Sequence, residues 1–556
     1  MTRCGNRFRQ VKLGYSKRER PASIAVNNMS QLPLSISSLS QLPQWLSNQY
    51  ANTPAVREGN TQLNFSDLNG HCRTVSQWFV DVLKLSTGDR VIVQMPNGVH
   101  YPVLLMALWR AGLVPVCLTV SADISELERV AKLTKAKAFV ACHAHSNLAE
   151  LAVRRGHRLT TVSCSPEDFS SWFLFPLKRL WRHIRKRSPN LADFQFRDAI
   201  AHHSGTLQLS ARTELDDLAM IQMTSATTGQ AKAVKLSHRN LISNVGQLNQ
   251  RLVEIGISGP QRLLMPLPLY HSYPSMICLM TWCQGGVVEM ASDVKEINQI
   301  AEQFDRFRPT LFAGVAPLFM GLVQHPLFPQ LDFSMLKCTL SGGAPLNQAI
   351  GDQWQAITHC PISQGYGLTE CSPVVTLDSS GTFVTGAVGR PLEQTEVRIQ
   401  DDFGNELPQG SAGEICIRGA QVMLGYVGQT ETLSDQTWFR TGDIGRVNPD
   451  GSLNMIERQS DVISLVGNFR IYPSEVEALI SQHPDITDCA FGSYQEEGET
   501  KLRLFVVTNN RRLTQKMIRN YCRQRLTAYK VPHLIELRRD LPHSSVGRVL
   551  RSGLVD

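Results

Sequence analysis

Three short segments constrain the architecture most. Val91-Ile92-Val93-Gln94-Met95 reads as a buried strand, Val103-Leu104-Leu105-Met106-Ala107-Leu108-Trp109 as a helical run, and Val114-Pro115-Val116-Cys117-Leu118 as a second buried strand. Strand, helix, strand in that order is a parallel βαβ unit, so an α/β fold is expected. At 556 residues the chain exceeds one ordinary domain, and 42% hydrophobic content is ample for a large core. No internal repeat or long low-complexity tract interrupts it.

The apolar run Leu218-Ala219-Met220-Ile221 leads directly into Met223-Thr224-Ser225-Ala226-Thr227-Thr228-Gly229-Gln230-Ala231-Lys232. A strand that empties into such a loop leaves hydroxyls and backbone N–H groups facing outward, able to close around phosphate oxygens while the lysine supplies positive charge. By itself a Ser/Thr/Gly loop is an ordinary connector. No Gly-Lys-Ser/Thr closes it in the Walker manner and no GxGxxG is present, so any nucleotide chemistry follows a different scheme.

Later segments supply that scheme. Ser363-Gln364-Gly365-Tyr366-Gly367-Leu368-Thr369-Glu370 combines an aromatic face for a purine, a hydroxyl, and a carboxylate able to reach Mg²⁺. Trp438-Phe439-Arg440-Thr441-Gly442-Asp443 places a carboxylate in a tight turn, where it can accept hydrogen bonds from both hydroxyls of a ribose. Glu457-Arg458-Gln459-Ser460-Asp461 precedes an apolar run, and Leu541-Pro542-His543-Ser544-Ser545-Val546-Gly547-Arg548 lies close to the chain end.

In this order, TSATTGQAK, SQGYGLTE, FRTGDIG, ERQSDVI and LPHSSVGRVLR, the chain resembles the adenylate-forming acyl/aryl-CoA synthetase superfamily. It is most similar to bacterial long-chain fatty acid CoA ligases in LPLYHSYPSM, GYGLTECSPVV, GAQVMLGY and YKVP. The resemblance implies a large N-terminal AMP-binding α/β domain over 32–457 and a small mobile α+β lid domain over 458–556, after a basic, disordered extension at 1–31. It implies activation of a medium- or long-chain fatty acid by ATP to an acyl-adenylate, with Mg²⁺, and transfer to coenzyme A. An acyl carrier protein thiol as acceptor, or a catalytically weakened nucleotide- or acyl-binding relative, are the alternatives.

On that resemblance Thr224, Ser225, Thr227, Thr228, Gly229 and Lys232 would grip the β- and γ-phosphates. Glu370 would hold the metal and Thr369 the α-phosphate region. Tyr366 would stack on adenine beside the turn containing Gly343, and Asp443 would take the ribose hydroxyls, assisted by Arg458. His271 would border the acyl substrate. Asp461 would be the hinge that exchanges Arg548 for the Gly467 loop at the site.

Three departures bear on activity. The family's near-terminal lysine is Arg548, whose planar fork has a different reach. Ser225, Ala226 and Ala233 stand where long-chain ligases usually carry glycine, and a left-handed Ala226 would cost roughly 1–2 kcal/mol. Gln459-Ser460 replaces a basic pair, and either the usual glycine-to-proline spacing from Gly467 to Pro473 is one residue longer or Asn468 has replaced the glycine, which weighs on the thioester step.

The net charge of +8 is concentrated: residues 1–20 and 178–187 each carry +6, leaving −4 elsewhere, so no nucleic-acid-binding surface is expected. The segment from Trp172 to Arg187 is amphipathic as well as basic, and reads either as peripheral contact with the inner face of the membrane or as a solvated helix packed on its own domain. The N-terminus lacks an apolar signal core, and Met29 is an alternative start. Thirteen cysteines without CxxC or zinc spacing read as reduced thiols in a cytoplasmic protein, Cys371 among them as a packing residue.

Overall fold

The computed structural model describes residues 35–142, 159–169, 192–202, 212–224, 231–291, 293–344, 346–378, 386–430, 432–465, 469–496, 499–542, 549 and 551–554. The expected βαβ unit is present: strand Arg90–Gln94, helix His100–Arg110 and strand Val114–Cys117, with the two strands parallel neighbours. Val91, Ile92, Val93, Val114 and Val116 are buried, as a strand covered on both faces requires.

Two large sheets and a smaller third build the N-terminal part. The first has eight strands, with Leu218–Met223 parallel to Val114–Cys117 and antiparallel to Ala233–Ser237. The second has nine, in which Leu311–Gly314, Cys338–Ser341 and Ile362–Gly367 run parallel and Val374–Leu377 then turns antiparallel. The third is antiparallel and four-stranded: Glu396–Gln400, Gly413–Arg418, Phe439–Val447 and Leu453–Arg458. Ligands in open α/β sheets bind outside the carboxyl ends of parallel strands. Leu218–Met223, Cys338–Ser341 and Ile362–Gly367 all point such ends at one cavity.

Helix His238–Glu254 ties these sheets together with buried polar side chains. Ser237 caps its start, accepting the Asn240 N–H at 3.1 Å. Asn240 Nδ2 donates to the carbonyls of Ala420 and Val422, both at 2.8 Å. Asn244 donates to Val374 O and accepts the Val374 N–H, and Arg251 donates to Leu377 O and Pro391 O. Each buried carbonyl so held escapes the cost of an unsatisfied group, about 1–3 kcal/mol. The helix thereby fixes strand Val374–Leu377 and the stretch leading to Tyr426.

After Leu453–Arg458 the chain passes a helical turn, Gln459–Asp461, and forms a smaller α+β unit with its own core, including Ile471, Val476, Phe491, Leu504, Ile518 and Ile535. Its three-stranded sheet pairs Asp488–Glu496 with Glu499–Val507, and the latter in parallel with Leu534–Arg538. The twelve described cysteines are unpaired, and all but Cys142 are buried. No helix among the described residues is long and apolar enough to cross a membrane.

Candidate functional site

The antiparallel pair Leu218–Met223 and Ala233–Ser237 brings the two ends of the hydroxyl-rich loop together. Its neck is closed by reciprocal bonds: Thr224 N–H donates to Lys232 O at 2.9 Å, and Lys232 N–H donates to Thr224 Oγ1 at 3.0 Å. Ser225, Thr227, Thr228 and Gly229 lie outside the described residues, as do Gly467, Arg548 and the basic segment from Trp172 to Arg187. Ala233, where the long-chain ligases usually carry glycine, sits in the strand ladder opposite Met223, a place that asks nothing of glycine.

Lys232 Nζ lies 4.8 Å from the centre of the Tyr426 ring, and the Tyr426 hydroxyl donates to Glu370 Oε1 at 2.8 Å. Burial, together with the Glu370 charge, pushes the Tyr426 phenol far above its usual range, so it stays a donor. The strand Gly425–Tyr426 pairs with Val234 and Lys235, which delivers the ring to the lysine. Thr369 opens the helical turn Thr369–Cys371 and shares a 3.3 Å hydroxyl contact with Ser272.

Tyr366 is buried and donates its hydroxyl to Asp443 Oδ2 at 2.8 Å. Asp443 and Arg458 face each other across the pair Phe439–Val447 and Leu453–Arg458, with Oδ1 3.4 Å from the Arg458 Nε. The sequence pattern places Asp443 in a tight turn; it stands instead on a bulged strand. Glu414 pairs with Ile444 and Cys416 with Arg440, so Thr441, Gly442 and Asp443 bow out opposite Ile415. A bulge of this kind re-aims a side chain without ending the strand. Gly442 takes φ +72°, Thr441 Oγ1 donates to Ile415 O, and Glu414 accepts the Gly442 N–H, which together hold the bow. Gly367 is needed for a different reason: a Cβ there would lie 2.2 Å from Pro373 O.

His271 precedes helix Ser272–Cys283 and packs against the Tyr270 ring, centroids 4.6 Å apart. Burial lowers its pKa to about 4, so the imidazole is neutral around pH 7.

These groups line one cavity of about 730 Å³. Thr224, Lys232, His271, Gly343, Tyr366, Thr369, Glu370, Asp443 and Arg458, nine of the residues expected from sequence, all face it. Leu248, Tyr273, Ile277, Leu340, Val374 and Leu377 add an apolar wall from two helices and the nine-stranded sheet. Gln459 and Ser460, the departures from a basic pair, also line it. Cys371 is fully buried and is not part of the wall. Tyr426 and Tyr273 carry no local signal of a role; they reach the cavity through strand pairing and helix placement that a motif does not reveal. Among the described residues no three His, Cys, Asp or Glu side chains form a metal cage.

The arrangement offers a cationic, hydroxyl-rich end, a carboxylate, an aromatic wall with a buried Asp, and an apolar surface. Comparison with known proteins agrees. The AMP-binding enzyme family profile matches residues 43–427, and that of the AMP-binding enzyme C-terminal domain matches 475–548. The long-chain-fatty-acid–CoA ligase of Escherichia coli O6:H1 is 33% identical over 91% of this chain and 92% of its own length. Its Salmonella typhimurium counterpart is 32% identical over 93% and 94%. Among solved structures, ATP-bound MatB from Rhodopseudomonas palustris superposes with TM-score 0.80 at 25% identity, covering 93% of this chain and 98% of that one.

Proposed function

The chain belongs to the AMP-binding enzyme family and is an AMP-forming acyl-CoA ligase; from that premise we propose that it activates a medium- or long-chain fatty acid with ATP and passes the acyl group to coenzyme A. The observation that carries this reading is that Lys232, Glu370, Tyr366 and Asp443 line the same cavity as an apolar wall built from Leu248, Ile277, Leu340, Val374 and Leu377. The acid's carboxylate attacks the α-phosphorus of ATP, forming an acyl–phosphate anhydride and releasing pyrophosphate. The thiolate of coenzyme A then attacks the acyl carbonyl, and AMP leaves.

In this reading Thr224 and Lys232, with Ser225, Thr227, Thr228 and Gly229 of the same loop, hold the β- and γ-phosphates. Tyr366, pinned through its hydroxyl, forms the adenine wall with Gly343, and Asp443 with Arg458 takes the ribose. Thr369 serves the α-phosphate. His271 stays neutral beside the acyl group, so it orients the carboxylate without forming an ion pair that would stabilise the ground state. Arg548 and the Gly467 loop serve the two half-reactions in turn, with Asp461 as hinge between parts divided near 457/458. Peripheral membrane contact through Trp172 to Arg187, within the cytoplasm, fits a substrate that partitions into bilayers.

The donor set suits Mg²⁺ bound with the nucleotide. Glu370 presents one oxygen to Tyr426 and its other accepts no hydrogen bond from the described residues. A magnesium ion bound by one or two carboxylates plus substrate phosphates needs no protein cage. Once bound there it would neutralise phosphate charge as attack proceeds.

Pyrophosphate release across a panel of fatty acids, with and without coenzyme A, tests the proposal. Release that depends on a medium- or long-chain acid, with thioester formed, is expected. Release without thioester would favour the carrier-protein acceptor, to which the Gln459-Ser460 pair lends support; no release with any acid would defeat the reading.

Tyr426→Phe keeps the ring under Lys232 but removes the donor to Glu370. Loss of one hydrogen bond to a charged group, about 1.5 kcal/mol at the low end, should raise KM for MgATP roughly tenfold. Thermal melting should move little, and steady-state kinetics beside a melting curve checks both.

A further inference from the structure

The stretch that joins the two parts, Ile456 to Asp461, is gripped from the small unit at two points. Ser474, near the start of helix Pro473–Ile480, donates its N–H to Glu457 Oε2 at 2.7 Å and its hydroxyl to Ile456 O. The second grip is Arg551. Its Nη1 donates to Glu477 Oε1 and to Phe491 O, both at 2.6 Å, and Nη2 to Glu477 Oε2 at 3.1 Å. The same guanidinium places Nε 3.6 Å from Asp461 Oδ2 and Nη2 3.9 Å from Glu457 Oε2.

These contacts divide into two sets. Glu477 and Phe491 belong to the small unit, and Glu477 also accepts the Phe491 N–H at 2.6 Å, so Arg551 is built into that unit as a fixed cation. Leu554 packs with Ala490, Phe505 and Leu541, anchoring the chain just past it. Glu457 and Asp461 lie on the joining stretch. A fixed cation reaching across to two carboxylates favours one orientation of the small unit over others, because its internal partners would travel with any rotation while the cross-contacts would not. Glu457 is nearly inaccessible to water, so its charge is held by Arg551 together with the Ser474 N–H and the Arg458 N–H, the latter at 3.1 Å.

We propose that Arg551 is a positioning residue: held by Glu477 and Phe491, it clasps Glu457 and Asp461, and together with Ser474 sets how readily the small unit leaves the orientation seen here. This rests on the ligase reading only in that the two half-reactions would demand different orientations.

Asp461→Asn removes a cross-contact and leaves every internal one, whereas Arg551→Gln removes both sets. Hydrogen exchange needs no activity, so it separates failure of the clasp from failure of the ligase reading. In Asp461→Asn the Ser474 amide should exchange roughly fivefold faster, the scale of one partly exposed ion pair, while amides of Asp488–Glu496 and Glu499–Val507 keep their protection. In active enzyme the ratio of ATP–pyrophosphate exchange to thioester formation should shift by a similar factor, which a general loss of stability would not produce. Arg551→Gln should show the larger change at Ser474. Unchanged Ser474 exchange in Asp461→Asn, or equal loss of protection throughout the small unit, would overturn the proposal.

Discussion

Replacing Glu370 with glutamine should lower acid-dependent pyrophosphate release by roughly 10²–10³ in kcat, the usual scale for losing a preorganised electrostatic group. Glutamine has the same shape, and its carbonyl oxygen can still accept the Tyr426 hydroxyl, a 2.8 Å bond in the native chain. Only the negative charge is removed. The melting temperature should therefore hold while the magnesium concentration needed for half-maximal rate rises. Stopped assays for pyrophosphate over a magnesium titration would show both effects. An unchanged rate would remove Glu370 from the phosphate end of the cavity and take the assignment of the metal with it.

Asp443→Asn should act on nucleotide binding. Two charge-assisted hydrogen bonds to a ribose, each worth about 1.5–3 kcal/mol, would be weakened, so KM for ATP should rise by roughly 10². The reacting phosphorus is remote from the sugar, so kcat should fall much less. 2′-Deoxy-ATP provides the control: the native enzyme should discriminate against it, and the Asn variant should discriminate far less, because the two changes remove one interaction. Equal discrimination by both proteins would place the ribose elsewhere. Asn also retains an acceptor for Tyr366, whose hydroxyl burial and the Asp443 charge hold protonated, so the aromatic wall should survive the substitution.

The polar residues that line the cavity were legible in sequence because they sit in short runs of unusual composition. Lys232 follows a loop crowded with hydroxyls, Tyr366 and Glu370 are four residues apart, and Asp443 follows Thr441-Gly442. The βαβ alternation around Val91, Trp109 and Val116 was equally plain, since buried parallel strands and the helix between them are apolar throughout. What was hidden depends on long-range pairing. Asp443 looked like a turn residue because Gly442 punctuates the run, yet the strand passes through as a bulge set by the register of Gly413–Arg418. Tyr426 gave no sign of its contacts with Lys232 and Glu370, because 194 positions separate it from the lysine and only the strand pair at Val234 and Lys235 brings them together. The apolar wall was illegible for the same reason: Leu248, Ile277, Leu340 and Leu377 are ordinary core residues until two helices and a sheet enclose a void among them.

Helix His238–Glu254 has a consequence for how the molecule fails. Its Asn244 and Arg251 hold the strand whose Val374 and Leu377 line the apolar wall, and its Asn240 holds the approach to the tyrosine between lysine and glutamate. The apolar wall and the Lys232–Tyr426–Glu370 end of the cavity therefore hang from one spine. Loosening that spine by heat or mutation should disturb the polar end and the apolar wall of the cavity together rather than one ahead of the other.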